Sequence, residues 1–527
     1  MKFAPTPRHL IAALVAVLLT LTACSSVRSN YVKKTSTALP PAVVTPRAKN
    51  IAAQTDDHPT ESGFRLLTQS ENALMSRITL ADHAQRSIDL QYYVFNNDAT
   101  GRLVMQHLLA AADRGVRVRL LIDDINLHDE IDVLNALNRH PNIKVRLFNP
   151  FMTRDPSTAS KALQFVMDAR RLNRRMHNKS FIVDNNVAVV GGRNIGDGYF
   201  SVSKDLHFRD LDLIAIGPVV REASDAFDAY WNCDAAYPVT AFKGKRATHY
   251  DLAKLRIDLT HDERTFAQSD YAQAALDKLP DGPLADRPGA WMWGDAKLVA
   301  DDPQKVTEES SSAALRIGPQ VKAMTAQAQQ SVLLISPYFV PGEQGAQYIT
   351  DMARRHIAVK VLTNSLASTD EPAVHVGYSR YRRQLLASGV QIFELRPDPH
   401  AKQKTTARGR SSGVSLHAKA IVVDQKQVFI GSMNLDQRSK NLNTEMGIIV
   451  QCPALAAAVT QFFDKATQPK NAYAVALVGH DEAHAGTLQW TASDGDSIET
   501  FHRDPDVTLK RRVEVVFLRL LPIESLL

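Results

Sequence analysis

A chain of 527 residues is long for one hydrophobic core, so two domains are expected. With 44% hydrophobic and 22% charged residues it reads as folded rather than low-complexity, and three cysteines are too few for a disulfide framework. The formal charge of +6 is mild: it suits an anionic partner, whether an acidic phospholipid surface or a nucleic acid, without selecting either.

At the N-terminus, Lys2, Arg8 and His9 precede an apolar run from Leu10 to Leu21, followed by Thr22-Ala23-Cys24. This is the layout of a secretory signal peptide, and the run is short for a membrane span. Its end resembles the lipobox of bacterial lipoprotein precursors, which implies cleavage before Cys24 and acylation of its thiol. Ser25 after it resembles lipoproteins sent on to the outer membrane; an uncleaved anchor is the alternative. Residues 25–60 are rich in Ser, Thr, Ala and Pro without apolar periodicity, and are expected as a flexible tether.

The first folded domain is expected over 61–250. Leu74, Ile78 and Ala81 have helical spacing, and Ser87 to Phe95 reads as a strand. A second helix from Thr100 carries Leu103, His107, Leu108 and Ala111 on one face and stops at Gly115. The next strand, Val116 to Ile122, ends in Asp123-Asp124; a crossover of this length predicts a parallel pair. Ile143 to Phe148 follows as a further strand.

From His177 to Asn194 the chain reads HNKSFIVDNNVAVVGGRN. Two β-branched runs around Asn185-Asn186 predict a hairpin, with His177 and Lys179 on one face of its first strand and Asn194 at the exit of its second. The pattern returns 240 residues later as HAKAIVVDQKQVFIGSMN, from His417 to Asn434, with Lys419 in the same place. Two histidines can divide a phosphodiester exchange between attack on phosphorus and proton transfer, while lysines and amides hold the non-bridging oxygens. One His-x-Lys alone would be unremarkable; two complete copies make coincidence a poor reading.

The surrounding strands repeat as well. Ser331 to Val340, Ile357 to Thr363 and Val390 to Leu395 echo the first-half strands at offsets of 241 to 247 residues. Two duplicated α/β/α sandwiches related by a pseudo-twofold axis are therefore expected, the second over 291–480. Residues 251–290 between them read as a linker. In the C-terminal segment, 481–527, Leu509, Val513, Val516, Phe517 and Leu520 share one helical face flanked by Lys510, Arg511, Arg512 and Arg519. Such a helix either lies in a membrane interface or packs on the domain.

The paired pattern resembles the phospholipase D superfamily, and Arg171 to Asp197, Ser336 to Pro341, His375 to Tyr378 and Asn443 to Met446 resemble its bacterial C-type cardiolipin synthases. The resemblance covers roughly residues 62 to 470. It implies one active site at the interface of the halves, a phosphatidyltransferase making cardiolipin from phosphatidylglycerol and a second phospholipid, and no cofactor or metal. A hydrolase on the same fold, a phospholipase D or a nuclease, is the alternative. The implied partners are anionic phospholipid and a membrane surface rather than nucleic acid, and the implied assembly is a monomer with internal duplication.

By the same resemblance His177 is the nucleophile and His417 the acid/base, while Lys179, Lys419, Asn194, Asn434 and the Ser432 hydroxyl bind phosphate. Gly192 stands where the second copy has Ser432 and lacks that hydroxyl. Each histidine needs an acid on its other ring nitrogen. Glu445, 28 residues after His417, is one, and Asp210 is its first-half counterpart, with Asp212 as rival. Asp184 and Asp424 complete the motif's catalytic set, although their hairpin-turn positions suit a structural carboxylate. Tyr93, Tyr338 and His375 are candidates for the entrance or headgroup wall.

Overall fold

The computed structural model describes residues 31–42, 46–127, 130–152, 167–203, 206–242, 251–278, 291–307, 316–397, 413–479, 486–495 and 497–521. Cys24 and the segment 1–24 lie outside them.

The first half opens with helix α1 (Pro46–Asp56), β1 (Ser62–Leu67) and α2 (Ser70–His83), then runs through β2 (Ser87–Tyr92), α3 (Ala99–Asp113), β3 (Arg117–Asp123), α4 (Ile131–Asn138) and β4 (Ile143–Phe148). Asp98 caps α3 by accepting from the Gly101 amide, and Gly115 ends the turn after it at φ +96°. β2, β3 and β4 pair in parallel. The motif follows as the hairpin β5 (Ser180–Val183) and β6 (Val187–Gly191). After β7 (Leu206–Arg209), β8 (Asp212–Ile216) runs antiparallel to β6 and β1; helix α5 (Pro218–Asn232) and β9 (Ala236–Pro238) close the half.

Residues 252–278, expected as linker, are two helices, α6 (Leu252–Ala267) and α7 (Asp270–Lys278). Leu255 and Leu259 are buried, and Arg256 pairs with Asp113 at the end of α3. The sparse apolar positions sit on one narrow stripe, which is why composition alone hid the helix. Residues 31–42, expected as a free tether, lie against the first half. The Ala38 amide donates to Asp228, Arg119 donates to the Ser36 carbonyl and Ala42 is buried.

The second half repeats the order: β10 (Met292–Ala300), α8 (Ile317–Ala326), β11 (Ser331–Ile335), α9 (Gly342–Arg354), β12 (Ala358–Asn364), α10 (Pro372–Ala387) and β13 (Gln391–Leu395). Then come β14 (Gly413–Leu416), the motif hairpin β15 (Ala420–Val423) and β16 (Gln427–Gly431), β17 (Met446–Gln451), α11 (Pro453–Ala466) and β18 (Ala472–Val478). A second hairpin not anticipated from the sequence, β19 (Thr487–Asp494) and β20 (Ser497–Phe501), widens this sheet before α12 (Leu509–Leu518).

The fold is thus two repeats of one α/β plan, each sheet covered by helices. β10 joins them, pairing with β1 at Met292–Gly294 and with β17 from Asp295 to Ala300. Between the sheets lies a shared core that includes Val190, Leu213 and Phe227 of the first half and Ile430, Ile448 and Phe463 of the second. That apolar contact is what holds the two motif hairpins against each other. Cys233 and Cys452 are free thiols. Among the described residues no helix is long and apolar enough to cross a membrane.

Candidate active site

Each histidine stands on the extended segment that enters its hairpin. The end of the preceding parallel strand fixes that segment. Asp123, closing β3, accepts from the Met176 amide (2.9 Å) and from Arg175 (2.6 and 2.8 Å). Asn364, closing β12, does the same for Leu416, accepting from its amide (2.8 Å) and donating to its carbonyl (3.0 Å).

The acids arrive from the opposite half. β14 pairs in parallel with β7, placing Leu416 opposite Arg209 and so the next residues, His417 and Asp210, together. His417 Nδ1 is 2.6 Å from Asp210 Oδ2. A parallel bridge of Met176 to Thr444 has the same consequence for the other pair: His177 Nδ1 lies 2.9 Å from Glu445 Oε2. Position in the sequence suggests an acid for the histidine of its own half; the structure exchanges them.

The two pairs differ in detail. Glu445 also accepts from the hydroxyls of Ser432 and, at 2.7 Å, Ser439. The Ser432 hydroxyl, expected to bind phosphate, is fully buried, donates to Glu445 and accepts from the Met446 amide. In the first half the acid is one methylene shorter and the serine is Gly192. A Cβ there would stand 2.1 Å from Asp210 Oδ1, so only glycine leaves Asp210 its place.

Asp212, the rival acid, is paired with Arg77 (2.9 Å) and Arg193 (3.2 Å), and Arg193 in turn donates to the Asp210 carbonyl. His375 is buried, its Nε2 3.2 Å from Asp504, which ties α10 to the C-terminal segment. Asp184 and Asp424, expected in the motif's catalytic set at positions that suit a structural carboxylate, hold the backbone of a neighbouring segment. Each sits at a hairpin turn at positive φ, about 20 Å along the chain from its histidine at ~3.3 Å per residue. Asp184 accepts from the amides of Gln85, Arg86 and Ser87, and Asp424 from those of Gln329, Gln330 and Ser331. Alanine at Asp184 should therefore cost about 2 kcal/mol of stability by orphaning those amides, with turnover per folded molecule retained. Thermal unfolding and active-site-normalised rates check this; a fully folded, inactive variant would refute it.

Two lysines and three aromatic rings surround the imidazoles. Lys179 and Lys419 are buried, each donating to the carbonyl of its own histidine, and Lys419 Nζ is 2.9 Å from His417 Nδ1. Tyr93 stands edge-on to His177 (4.9 Å); Tyr199 and Phe208 flank His417 (5.2 and 5.1 Å). Tyr338 donates to Asp370 (2.9 Å). Tyr199, Phe208 and Ser439 carry no sequence pattern that marks them. Asn194 accepts from the Val94 amide and leaves its own amide donor unpartnered among the described residues; at Asn434 the unpartnered atom is instead the side-chain oxygen Oδ1, an acceptor.

Burial, opposed by Glu445 and reinforced by Lys179 and Lys419, takes the His177 imidazole down to about 4. Burial with Lys419 and Lys179 also holds His417 well below its usual range. Lys419 falls to about 8 by burial, despite Asp210 and Glu445. Both imidazoles are thus neutral near pH 7, and an anion entering the site offsets the lysines and favours a proton on one ring. For kcat/KM the acid limb should lie near 4, where His177 becomes protonated. The alkaline limb should lie no higher than about 8, where Lys419 loses its charge as pH rises, because Lys179 and His417, which must also carry protons, are held down by burial as well. A pH profile of initial rates measures this, and an alkaline limb well above 8 would contradict the assignment.

The family described as "Cardiolipin synthase, PLD-like domain" matches residues 78–231 and 321–467. Cardiolipin synthase C of Escherichia coli (strain K12) is 38% identical over 478 residues, 89% of this chain and 97% of that one. A cardiolipin synthase of Staphylococcus aureus is 23% identical over 77% of this chain and 67% of its own. The crystal structure of phosphatidylserine synthase from Haemophilus influenzae shares the fold, with a TM-score of 0.54 at 13% identity over 91% of this chain and 99% of that one.

Proposed function

The chain belongs to the cardiolipin synthase family of phospholipase D-like proteins, and from that premise we propose a membrane-associated phosphatidyltransferase that works through a phosphohistidine. The observation that carries this reading is the crossed pair of His–carboxylate contacts in one buried site with two lysines. With Nδ1 of each ring occupied by a carboxylate, Nε2 remains for chemistry. His177 Nε2 attacks phosphorus of phosphatidylglycerol; the bond from phosphorus to the glycerol oxygen breaks, and His417 gives that oxygen its proton. The hydroxyl of a second phospholipid then attacks the phosphohistidine, His417 takes its proton, and the phosphorus–nitrogen bond breaks to release cardiolipin. Lys179, Lys419 and the amides of Asn194 and Asn434 hold the non-bridging oxygens throughout.

A lipid anchor at Cys24 would keep acceptor lipid crowded at the site mouth, and a crowded, oriented alcohol competes with water. Intact mass of the mature chain tests the anchor: a protein beginning at Met1 would sink it. The function is tested by incubating the protein with labelled phosphatidylglycerol vesicles and separating the products. Cardiolipin and free glycerol should dominate, and added glycerol should drive the exchange backward because it conserves one phosphodiester. Phosphatidic acid as the main product at every lipid density would make the enzyme a phospholipase D instead.

A further inference from the structure

Among the described residues ten large apolar side chains stand well exposed, and six belong to α12 and its end. Leu509 (79% exposed), Val513 (63%), Val516 (61%), Phe517 (64%) and Leu520 (78%) form its outer face, and Leu521 follows. The helix has a fixed inner side. Val515 is buried against Leu366 and Val376, and Arg511 is buried with its guanidinium on the Thr369 carbonyl. An apolar face this dense is unfavourable in water unless something covers it.

Two observations say what covers it. Beside the helix lies a cleft of about 600 Å³ lined by six arginines, Arg380, Arg382, Arg383, Arg503, Arg512 and Arg519. Its one carboxylate, Asp504, is taken up by His375 and Arg382. Apolar side chains beside clustered arginines complement an anionic lipid surface, with acyl chains meeting the first and phosphate headgroups the second. The position is the second observation. The loop on which α12 is seated, Leu366 to Thr369, begins two residues after Asn364, which holds Leu416 next to His417, and runs into Asp370, which accepts from Tyr338. The apolar face is thus carried on the segment that rims the site.

We propose that the outer face of α12 and the arginine cleft beside it form a docking surface for an anionic phospholipid bilayer, presenting the site to the membrane. It rests on the phosphatidyltransferase reading for what the docking delivers, but not for whether docking occurs. In the full chain, Phe517→Trp should show added emission shifted to the blue on phosphatidylglycerol-containing vesicles and quenched by brominated acyl chains. Phosphatidylcholine vesicles or high salt should weaken both signals. No change in that emission on vesicles with which the protein sediments would overturn the proposal. So would self-association that Val513→Glu/Phe517→Glu abolishes while the vesicle signal is absent, since a second copy would then be the occupant.

A rate measurement supplies the second arm. Val513→Glu/Phe517→Glu should lower turnover on intact phosphatidylglycerol vesicles about tenfold and leave turnover on the same lipid in mixed detergent micelles unchanged. Equal turnover on both, or an equal loss on both, counts against the docking face. If the wild-type protein turns over no phospholipid at all, the functional reading fails while the tryptophan signal still decides the docking.

Discussion

Alanine at His177 should abolish lipid turnover, by on the order of 10⁴-fold or more, and with it any trapped phosphatidyl-enzyme. The reasoning is one of chemistry rather than binding. Lys179 and Lys419 stay buried in the site beside the phosphodiester, so substrate affinity should change little; what is lost is the nitrogen to which phosphorus transfers. His417→Ala should behave differently. The nucleophile remains, but departing glycerol has no proton donor and the acceptor alcohol has no base. Adduct should therefore form slowly and resolve more slowly still, so that it accumulates. Quenching labelled reactions in acid-free denaturant and mapping the phosphorus–nitrogen bond distinguishes the two. Label on His417 with His177 bare would reverse the assignment of roles.

That the two residues differ at all could be argued only from resemblance, because their sequence contexts are nearly symmetric. The structure adds an asymmetry that the sequence contains but does not explain. Asp210 with Gly192 and Glu445 with Ser432 are matched sets: the shorter acid comes with the missing side chain, the longer one with a hydroxyl to hold it. Continuous β-branched runs made the strands and motif hairpins legible, because each run is a strand buried on both sides. The crossing of the acids was not legible. It depends on β7 meeting β14 and on Met176 meeting Thr444, contacts between segments more than 200 residues apart that no local pattern encodes.

Other misses have local causes. Residues 31–42 have the composition of loose chain, yet Ser36 and Ala38 find side-chain partners in Asn232 and Asp228 on α5, and a backbone so satisfied need not bury apolar surface to stay in place. The β19–β20 hairpin alternates imperfectly because only one face is covered, with Trp490 inward on Glu394 and Ile498 outward in solvent. For α12 the outer apolar stripe was legible, but two readings fitted it; only the buried side, Arg511 and Val515, separates a helix packed by its other face from one packed by this.

Asparagine at Asp210 or glutamine at Glu445 should each lower kcat by about 10² to 10⁴ while changing KM far less, although neither acid touches substrate in the proposed mechanism. Each carboxylate accepts from Nδ1 of the histidine across the interface, at 2.6 and 2.9 Å, and so leaves Nε2 unprotonated and able to attack or to exchange protons. An amide nitrogen in that place donates to Nδ1 instead. The proton then resides on Nε2, and the ring faces phosphorus in the wrong tautomer. Length should not rescue the loss. Asp210→Glu adds a methylene where Gly192 already leaves no room for a Cβ, and Glu445→Asp draws the acid back from His177 and from its Ser432 and Ser439 donors. Both should remain slow, with Asp210→Glu also less stable. A merely structural acid would behave otherwise: Glu445→Gln would lower the amount of folded protein and leave kcat per folded molecule near wild type. Rates normalised to folded protein, compared with the His177 signal in nitrogen NMR, separate these cases. A Glu445→Gln protein that is folded, turns over within threefold of wild type and keeps His177 protonated at Nδ1 would show that the crossed carboxylates do not set the tautomer.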